Sequence, residues 1–256
     1  MNLGIKNKRA LITGAGRGLG KSIALNLTKE GVKVALVSRS SLHLKHAYQE
    51  LGGAKNGHYM ITADLTLEKK PEMIAKKIIK DFGTIDIVVN NLGDSLDIKD
   101  PFCKIADWRK LWRINMEVAI EINNVILPQM MKQKWGRIVH ISSIAALENQ
   151  GPVPYCSIKA ALTAYNRSMG RVVASQGVIM TSVLPGAVFT EGGYWDITSK
   201  TKPDHVKKYL QERMAIKRFG KPDEIGAVVT FLCSEHASFC VGSTVPVDGG
   251  QGRVFF

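Results

Sequence analysis

Residues 8–30 read KRALITGAGRGLGKSIALNLTKE, and this stretch decides the fold. Lys8 to Thr13 form a short apolar run that is typical of a buried strand. A glycine-rich turn follows over residues 14–20, and apolar side chains then recur with the period of a helix up to Glu30. A turn of this kind between strand and helix places backbone N–H groups and the positive end of the helix where a pyrophosphate can bind.

Three glycines of the turn have separate roles in this interpretation. Gly14 would allow the turn, Gly18 would allow close approach of the ligand, and Gly20 would let the helix pack against the strand. The spacing is not G-x-G-x-x-G, so the turn taken alone could be a simple connection. Its position in the first strand-helix unit favours a dinucleotide site.

The rest of the chain repeats the alternation of strand and helix. Further strands are predicted at 32–38, 58–62, 85–89, 137–141, 178–184 and 243–247, and further helices at 43–51, 67–82, 105–131, 153–175 and 222–234. A bend is expected in the long helix near Pro128. Strands that alternate with helices of this length predict an α/β fold, a doubly wound parallel sheet of about seven strands with helices on both faces.

Composition sets limits on the class of protein. A length of 256 residues with 45% hydrophobic content suits a single α/β domain over residues 1–256. No apolar run approaches the roughly 20 residues of a membrane span, and the start lacks the apolar region of a signal peptide, so a cytoplasmic protein is expected. The four cysteines lack C-x-x-C spacing, which predicts reduced thiols in or near the core, with neither disulfides nor zinc. His43 and His46 lie three apart on a helix without further ligands, so no metal site is predicted.

The charge is strongly basic, with 35 Lys and Arg against 22 Asp and Glu and a formal net charge of +13. Such an excess raises the possibility of a nucleic-acid partner. The lysines are dispersed along the chain, however, and no stacking-aromatic or base-reading pattern accompanies them. We therefore predict no nucleic-acid partner, but a solvated basic surface that attracts anionic cofactors and substrates.

A group of polar residues in the second half of the chain suggests proton transfer. Ser142 and Ser143 close the apolar run 138–141, and Tyr155 and Lys159 stand four apart on one helix face. A free tyrosine has a pKa of about 10, and we expect the nearby ammonium to lower it towards neutrality. Ser143 could then hold a substrate oxygen while Tyr155 exchanges a proton with it. Taken alone, the Tyr–Lys pair could also be an ordinary surface pair.

Seven motifs in one order and spacing now agree. They are residues 13–20 (TGAGRGLG), Asp64, residues 90–93 (NNLG), Asn115, Ser143, Tyr155 with Lys159, and Pro185-Gly186 with Thr190. From about residue 8 to Gly250 the chain resembles the short-chain dehydrogenase/reductase family, which has a Rossmann-type fold. The resemblance implies an NAD(P)-dependent enzyme that interconverts ketones and secondary alcohols.

The resemblance also implies roles for individual residues. Asn115, Ser143, Tyr155 and Lys159 match the catalytic tetrad. Tyr155 would be the acid/base, Ser143 would polarise the substrate carbonyl, and Lys159 would bind the nicotinamide ribose and lower the phenol's pKa. Asn115 would sit at a helix irregularity whose main-chain carbonyl holds a water of the proton relay. Taken singly, Asn115 could equally cap a helical turn.

The same resemblance implies a cofactor site along the carboxyl ends of the strands. Asp64 and Leu65 would border the adenine, and Leu92, where the family usually has alanine, would narrow the space beside the ribose. Taken singly, Asp64 could be an ordinary turn residue, and Pro185-Gly186 could simply end a strand. The predicted cofactor residues are Gly14, Arg17, Gly18, Leu19, Ser38, Arg39, Ser40, Asp64, Leu65, Asn91, Gly93, Tyr155, Lys159, Pro185, Gly186, Val188 and Thr190.

The end of the second strand decides between the two nicotinamide cofactors. An enzyme that selects NAD usually has Asp or Glu there, but residues 37–41 read VSRSS and the next acid is Glu50. Arg39 offers a planar cation for a 2′-phosphate, and Arg17 lies close enough to help. We predict NADP(H) rather than NAD(H), with carbonyl reduction as the working direction. The alternative is that Arg39 is a solvated residue at a helix start.

The substrate is less well defined than the cofactor. Residues 187–217 are predicted to form an irregular lid, in which Tyr194 and Trp195 either cover the substrate or pack the lid onto the body. The pattern is similar to bacterial 3-oxoacyl-[acyl-carrier-protein] reductases, with Lys132 and Lys134 where those enzymes have basic residues but Gln176 at a second such position. A sugar or nucleotide-sugar dehydrogenase fits almost as well, and a dinucleotide-sensing binding protein is the non-enzyme alternative.

The resemblance further implies a homo-oligomer, either a dimer or a tetramer. The predicted contacts are the helices at 105–131 and 153–175 together with the last strand. We expect Phe255 and Phe256 at the end of the chain to dock on a neighbouring subunit.

Overall fold

A seven-stranded parallel sheet forms the centre of the protein in a computed structural model that describes residues 1–254. The spatial order is β3-β2-β1-β4-β5-β6-β7, so the strand order reverses between β1 and β4. Ligands of such sheets bind at that switch point, outside the carboxyl ends of the strands. The predicted α/β class, strand number and doubly wound parallel sheet are confirmed. The strands are β1 (Arg9–Thr13), β2 (Lys33–Ser38), β3 (Tyr59–Thr62), β4 (Ile87–Asn90), β5 (Gly136–Ile141), β6 (Val178–Pro185) and β7 (Thr244–Val247).

Helices cover both faces of the sheet. α1, α2 and α9 contribute to one apolar cluster, and α3, α5 and α6 contribute to the other. A π-helical segment, Arg113–Glu117, joins α4 to α5 and is called the π turn below. The helices are α1 (Gly18–Lys29), α2 (Ser41–Glu50), α3 (Lys70–Phe82), α4 (Ile105–Trp112), α5 (Val118–Lys132), α6 (Val153–Val173), α7 (Tyr194–Thr201), α8 (Pro203–Arg213) and α9 (Pro222–Leu232).

The central strands are buried on both sides, which explains their nearly continuous apolar sequences. In β1, Ala10 and Ile12 pack into the cluster under α1, whereas Leu11 packs into the cluster under α3. Each fully buried side chain of this size contributes on the order of 1.5–3 kcal/mol. The sheet thereby becomes a rigid base that fixes the position of every loop at its carboxyl edge.

Two segments differ from their sequence-based predictions. The stretch 187–217, expected to be irregular, contains α7 and α8, and α8 begins with Pro203 at a first-turn position that suits proline. The predicted helix 105–131 loses its regular α-helical hydrogen bonding at the π turn, and it continues through Pro128 to Lys132. Other boundaries shift by one to three residues.

Within residues 1–254, no helix combines the length and apolar character needed to cross a membrane. All four cysteines are free; Cys233 is buried and the other three are partly exposed. Phe255 and Phe256, for which a subunit contact was predicted, lie outside the described residues.

Candidate active site

A cleft of about 620 Å³ opens at the carboxyl edge of the sheet, across the switch point. All 17 predicted cofactor residues line it, as does Ser143. The cleft runs from Arg39, after β2, past the glycine turn to Tyr155 on α6. The structure therefore brings the predicted cofactor residues and the predicted proton-transfer residues into one continuous site.

The glycine turn has the backbone shape that its sequence predicts. Gly14 and Gly18 have φ angles of +64° and +56°, in the left-handed region that favours glycine. A Cβ atom at Gly20 would lie 2.4 Å from the Gly14 carbonyl oxygen, so α1 could not begin so close to β1 with any other residue. The turn leaves backbone N–H groups at the start of α1 open to the cleft, which fits a pyrophosphate.

Asn91 supports the glycine turn from the neighbouring strand. Its side-chain amide donates to the Thr13 carbonyl oxygen at 2.9 Å, and its backbone N–H donates to the Thr13 hydroxyl at 3.0 Å. The Leu92 N–H donates to the same hydroxyl at 3.0 Å. These bonds tie the ends of β1 and β4 together at the switch point, so the Asn91 side chain holds the shape of the cleft.

The far end of the cleft carries the residues predicted to select the cofactor. Arg39 lies there with Ser38, and His43 of α2 also lines the wall, which sequence reasoning did not anticipate. The Ser40 hydroxyl accepts a hydrogen bond from the His43 N–H at 3.4 Å and caps α2. Hydrogen bonds from Thr66 hold the pKa of the Asp64 carboxyl below its usual value, with a smaller contribution from Arg39.

The loop after β3 is held by an arginine that sequence reasoning missed. Arg113, in the π turn, donates through Nε to the Thr66 carbonyl oxygen at 3.0 Å and through a terminal nitrogen to the Leu67 carbonyl oxygen at 2.8 Å. Its other terminal nitrogen contacts Glu117 at 3.1 Å and also Glu121. The guanidinium therefore joins the loop predicted to border the adenine to the helix segment that carries the predicted catalytic asparagine.

Asn115 lies in this π turn and is buried. Its side-chain nitrogen donates to the carbonyl oxygens of Asp94 at 2.8 Å and Leu111 at 2.9 Å, and its side-chain oxygen accepts from the Asp94 N–H at 3.1 Å. A Cβ atom at Gly93 would lie 2.7 Å from the Asn115 side-chain oxygen and 2.8 Å from the Lys159 Nζ. The glycine thus lets the loop after β4 pass between these two groups, and the predicted helix irregularity coincides with the π turn.

Tyr155 and Lys159 lie on one face of α6, and Ser143 faces them from the end of β5. The Lys159 Nζ lies 5.7 Å from the centre of the Tyr155 ring and donates to the Ile141 carbonyl oxygen at 3.0 Å. Lys159 is 2% exposed, and burial lowers the pKa of its ammonium to about 8. An ammonium has three N–H donors, so two remain for hydroxyl groups of a ligand.

The phenol of Tyr155 does not behave as the sequence suggested. Burial raises the pKa of Tyr155 to about 12, and the Ser143 hydroxyl partly opposes this shift. We had expected the ammonium of Lys159 to lower the pKa, but removal of the phenol from water has the larger effect in the protein alone. The Asp94 carboxylate adds to the increase. At neutral pH the tyrosine is therefore protonated and available as a proton donor.

A buried polar network lies beneath these predicted catalytic residues. The His140 Nε2 is 3.1 Å from the side-chain nitrogen of Asn123, and its Nδ1 is 3.1 Å from the side-chain oxygen of Asn166. These partners assign the proton to Nδ1 of a neutral imidazole. Burial accordingly lowers the pKa of His140 to about 4. Asn123 also accepts a hydrogen bond from the Asn90 amide at 3.0 Å, which links α5, β5 and α6 to β4.

Residues 187–217, predicted to form a lid, border the cleft through a cluster of tilted aromatic rings. Trp195 lines the cleft, and its ring centre lies 4.3 Å from that of Tyr209 and 4.8 Å from that of Phe219. Tyr194 meets Trp195 edge-on at 4.9 Å and is 58% exposed. Trp195 therefore both faces the cleft and packs the lid, whereas Tyr194 lies outside. Residues 187–217, the predicted lid, hold six Lys or Arg residues against four acids.

Several cleft residues escaped sequence reasoning for identifiable reasons. Asp94, Glu191 and Gly193 line the wall but belong to no motif. Asp94 follows Gly93 directly, so its position beside a predicted motif was the available signal. Within residues 1–254, no group of three or more His, Cys, Asp or Glu side chains is arranged to hold a metal ion.

Known proteins share this architecture over the whole chain. A family model described as enoyl-(acyl carrier protein) reductase matches residues 14–251. The 3-oxoacyl-[acyl-carrier-protein] reductase FabG of Aquifex aeolicus is 32% identical over 255 residues, covering 98% of this chain and 100% of the relative. L-sorbose reductase from Gluconobacter frateurii, solved with NADPH and L-sorbose, superposes with a TM-score of 0.91 at 28% identity and full coverage of both chains. A 3-oxoacyl-(acyl-carrier-protein) reductase from Agrobacterium tumefaciens, solved with NADP, gives 0.89 at 25% identity, covering 97% and 95%.

Fold, cleft and relatives define a dinucleotide-dependent oxidoreductase that acts on CH–OH and C=O groups. Within that class, the chain belongs to the short-chain dehydrogenase/reductase family, as its motifs predicted.

Proposed function

We propose that the protein is an NADPH-dependent reductase that converts a ketone to a secondary alcohol. One observation carries the proposal: Ser143, Tyr155 and Lys159 meet at one end of the cleft that all the predicted cofactor residues line. A group that must donate a proton during reduction has to be protonated at the start, and a phenol with a pKa of about 12 meets that condition. Reduction is proposed because the predicted cofactor, NADPH, is a hydride donor, and a protonated phenol is compatible with that direction.

In this proposal the chain's own groups handle binding and the proton. Bound NADPH supplies the hydride to the carbonyl carbon. The Ser143 hydroxyl donates a hydrogen bond to the carbonyl oxygen, and Tyr155 transfers its phenolic proton to that oxygen as the alcohol forms. Lys159 holds ribose hydroxyls through its remaining N–H donors. Asn115 fixes the loop after β4, and the main-chain carbonyl of its π turn holds the water through which the phenol regains a proton.

Charge at the far end of the cleft supports NADP(H) as the cofactor. Arg39 lines that end, and the acid that an NAD-selective enzyme carries after its second strand is absent from the sequence there. Arg17 also lines the cleft, but its guanidinium donates to the Gly192 carbonyl oxygen at 3.3 Å, so the 2′-phosphate is assigned to Arg39 alone. L-sorbose reductase and the Agrobacterium reductase were solved with NADPH and NADP respectively, which agrees with the prediction. The Arg39 guanidinium would bind the 2′-phosphate, with Ser38 and Ser40 adding hydrogen bonds.

Two substrate classes remain in the proposal. A 3-oxoacyl thioester is favoured by the full-length similarity to FabG proteins. A keto-sugar is favoured by the equally complete superposition on L-sorbose reductase. Lys132 and Lys134, the predicted docking residues for an acidic carrier, precede β5, whereas Ser143 follows it. Six strand residues separate the two sites by about 20 Å. A carrier bound at these lysines would therefore have to extend its acyl group over about that distance to reach the Ser143 of the same protomer.

We also propose that the protein is a homo-oligomer, as the family resemblance implies. A shallow apolar groove between α4 and α6 is lined by Trp108, Trp112 and Ile158, and Trp112 is 39% exposed. Burial of this groove against a second copy would remove the apolar surface from water. Light scattering at several concentrations measures the oligomeric state, and a monomer at every concentration would contradict the proposal.

The reaction is tested with a panel of 3-oxoacyl thioesters, keto-sugars and simple ketones, following the loss of NADPH absorbance. We expect one class to be reduced with a kcat/KM at least tenfold above the others, and NADPH to be preferred to NADH. Arg39→Leu should reduce that cofactor preference, while Lys80→Leu, at an exposed position of α3 outside the cleft, should leave it unchanged. NADPH binding without reduction of any panel member would instead favour the dinucleotide-sensing alternative.

A further inference from the structure

The segment that follows β7, residues 248–254, lies between the lid and the loop that follows Ser143. The Ala187 N–H donates to the Gln251 side-chain oxygen at 2.7 Å, and the Ile216 N–H donates to the Gly249 carbonyl oxygen at 3.1 Å. Both ends of the lid region are therefore bonded to this one piece of chain. We call residues 248–254 the clasp.

Gln251 is the best-connected side chain of the clasp and is 3% exposed. Its side-chain oxygen accepts a hydrogen bond from the Ala187 N–H at 2.7 Å. Its side-chain nitrogen donates to the Gln150 side-chain oxygen at 3.0 Å and to the Tyr209 hydroxyl at 2.5 Å. Three separate segments thus supply its partners, and a buried amide that uses both donors is held in one orientation.

A second set of bonds holds the clasp against the loop after Ser143. The Gln150 side-chain nitrogen donates to the Gln251 carbonyl oxygen at 3.2 Å and to a Glu148 carboxylate oxygen at 2.6 Å. The other carboxylate oxygen of Glu148 accepts the N–H groups of Arg253 and Val254, the latter at 2.9 Å. Hydrogen bonds from Gln150 and from Arg253 lower the pKa of Glu148, so the carboxylate stays charged in this role.

Each partner of Gln251 leads directly to the cleft. Tyr209 stacks on Trp195, which lines the catalytic end. Ala187 follows Gly186, which also lines the cleft. Gln150 lies on the loop between Ser143 and α6. One amide therefore sets the lid helices, the turn after β6 and the loop after Ser143 relative to one another.

We propose that Gln251 is a positioning residue that holds the lid over the substrate end of the cleft. Its structural effect does not depend on which reaction the protein performs, whereas its kinetic effect rests on the proposed function. Loss of the amide should leave the sheet and the dinucleotide end intact but allow α7 and α8 to separate from the body more often.

Amide hydrogen exchange, followed by mass spectrometry without any ligand, tests the structural effect. In Gln251→Leu, peptides from residues 194–213 should exchange at least about tenfold faster, because the three side-chain hydrogen bonds of Gln251 are lost. Peptides from α1 and β2 should keep the wild-type rate. The control is Gln129→Leu, which also removes a side-chain amide. That amide donates to the Ile85 carbonyl oxygen at 3.1 Å, and Ile85 precedes β4 at the amino edge of the sheet, opposite the cleft. Hydrogen exchange of the lid should be unchanged in this variant.

A second variant separates the contact between Gln251 and Tyr209 from the other two side-chain contacts of Gln251. Tyr209→Phe removes one hydroxyl and keeps the ring that stacks on Trp195, so lid exchange should rise by a smaller factor than in Gln251→Leu. The double variant should exchange no faster than Gln251→Leu alone, because both changes break the same bond. Unchanged lid exchange in Gln251→Leu, or an equal increase over the whole chain, would overturn the proposal.

The kinetic arm uses the substrate identified by the panel. Gln251→Leu should raise KM about tenfold with a smaller change in kcat, and it should leave NADPH affinity, measured by fluorescence titration, near the wild-type value. If the lid loosens but no carbonyl compound is reduced by the wild-type protein, the reaction is wrong and the positioning role stands. If reduction is normal and the lid does not loosen, the positioning role is wrong.

Discussion

The floor of the cleft and the lid above it are built in opposite ways. The floor places charged and polar groups such as Lys159, Asn115 and His140 in full burial, and each is held by hydrogen bonds from neighbouring strands and helices. The lid is a stack of aromatic rings around Trp195, fastened at its edges by the clasp. Burial fixes the positions and the pKa values of the polar side chains in the floor. The lid, which is held mainly by contacts between aromatic rings, can move away from the cleft and return. The difference predicts that changes in the floor act on chemistry and stability, and that changes in the lid act on substrate capture.

The largest expected effect comes from the floor. Tyr155→Phe removes the proton donor without changing the shape of the cleft, so turnover should fall by about 10²–10⁴-fold, the range of general acid catalysis. NADPH affinity should change little. Single-turnover kinetics and fluorescence titration measure the two quantities. Tyr165→Phe on the same helix, whose hydroxyl contacts Asn123 at 3.3 Å beneath the floor, is the matched control. Turnover that survives in Tyr155→Phe would remove the basis of the proposed function.

A second effect concerns stability and pH. His140 is neutral when folded, with a pKa of about 4 against 6.5 for a free histidine. Below pH 6.5 His140 is protonated in the unfolded chain but stays neutral in the folded protein. The free energy of unfolding therefore decreases as the pH falls from 6.5 towards 4. The loss should reach about 3 kcal/mol. Urea unfolding over this pH range should show a weaker pH dependence for His140→Asn, whereas His43→Gln, an exposed position, should follow the wild type.

Arg113 tests whether the two ends of the floor are joined. Arg113→Met removes the bonds to the Thr66 and Leu67 carbonyl oxygens and leaves Glu117 and Glu121 without their cation. Dinucleotide affinity should weaken about tenfold, because hydrogen bonds to a charged group are lost. Isothermal titration calorimetry with NADP⁺ gives the affinity, with Lys80→Met at an exposed position of α3 as the control. Equal affinities in the two variants would show that the loop after β3 keeps its shape without the guanidinium.

The smallest effect should come from the lid. Trp195→Leu removes ring contacts at 4.3 and 4.8 Å, each of which contributes about 1 kcal/mol. Steady-state kinetics should show KM raised about five- to tenfold and kcat within about threefold of the wild type. Trp135→Leu, beside Glu235 at the opposite edge of the sheet, should leave both constants unchanged. A large fall in kcat with an unchanged KM would place Trp195 with the floor.

Sequence reasoning succeeded where the physical cause was local. The glycine turn, the pairing of Tyr155 with Lys159 and the alternation of elements each depend on residues a few positions apart, and the sequence displays them directly. The loop contacts of Arg113 and the contacts of Gln251 could not be found in this way, because those partners lie 46–47 and 42–101 positions away. The Tyr155 pKa was predicted in the wrong direction because the burial of a side chain is a property of the folded molecule. The lid helices were missed because Gly192 and Gly193 precede α7 and Pro203 interrupts the sequence between α7 and α8.

The charge of the lid has a consequence for how the protein would respond to its medium. Six basic residues against four acids over the lid, residues 187–217, together with the net charge of +13 of the chain, give this part of the surface a positive potential. Dissolved salt screens such a potential over a Debye length of about 8 Å at physiological ionic strength. An anionic substrate should therefore be captured more slowly as salt is added, whereas an uncharged ketone should be captured at a constant rate. Sensitivity to salt would thus report the charge of the natural substrate before its chemical identity is known.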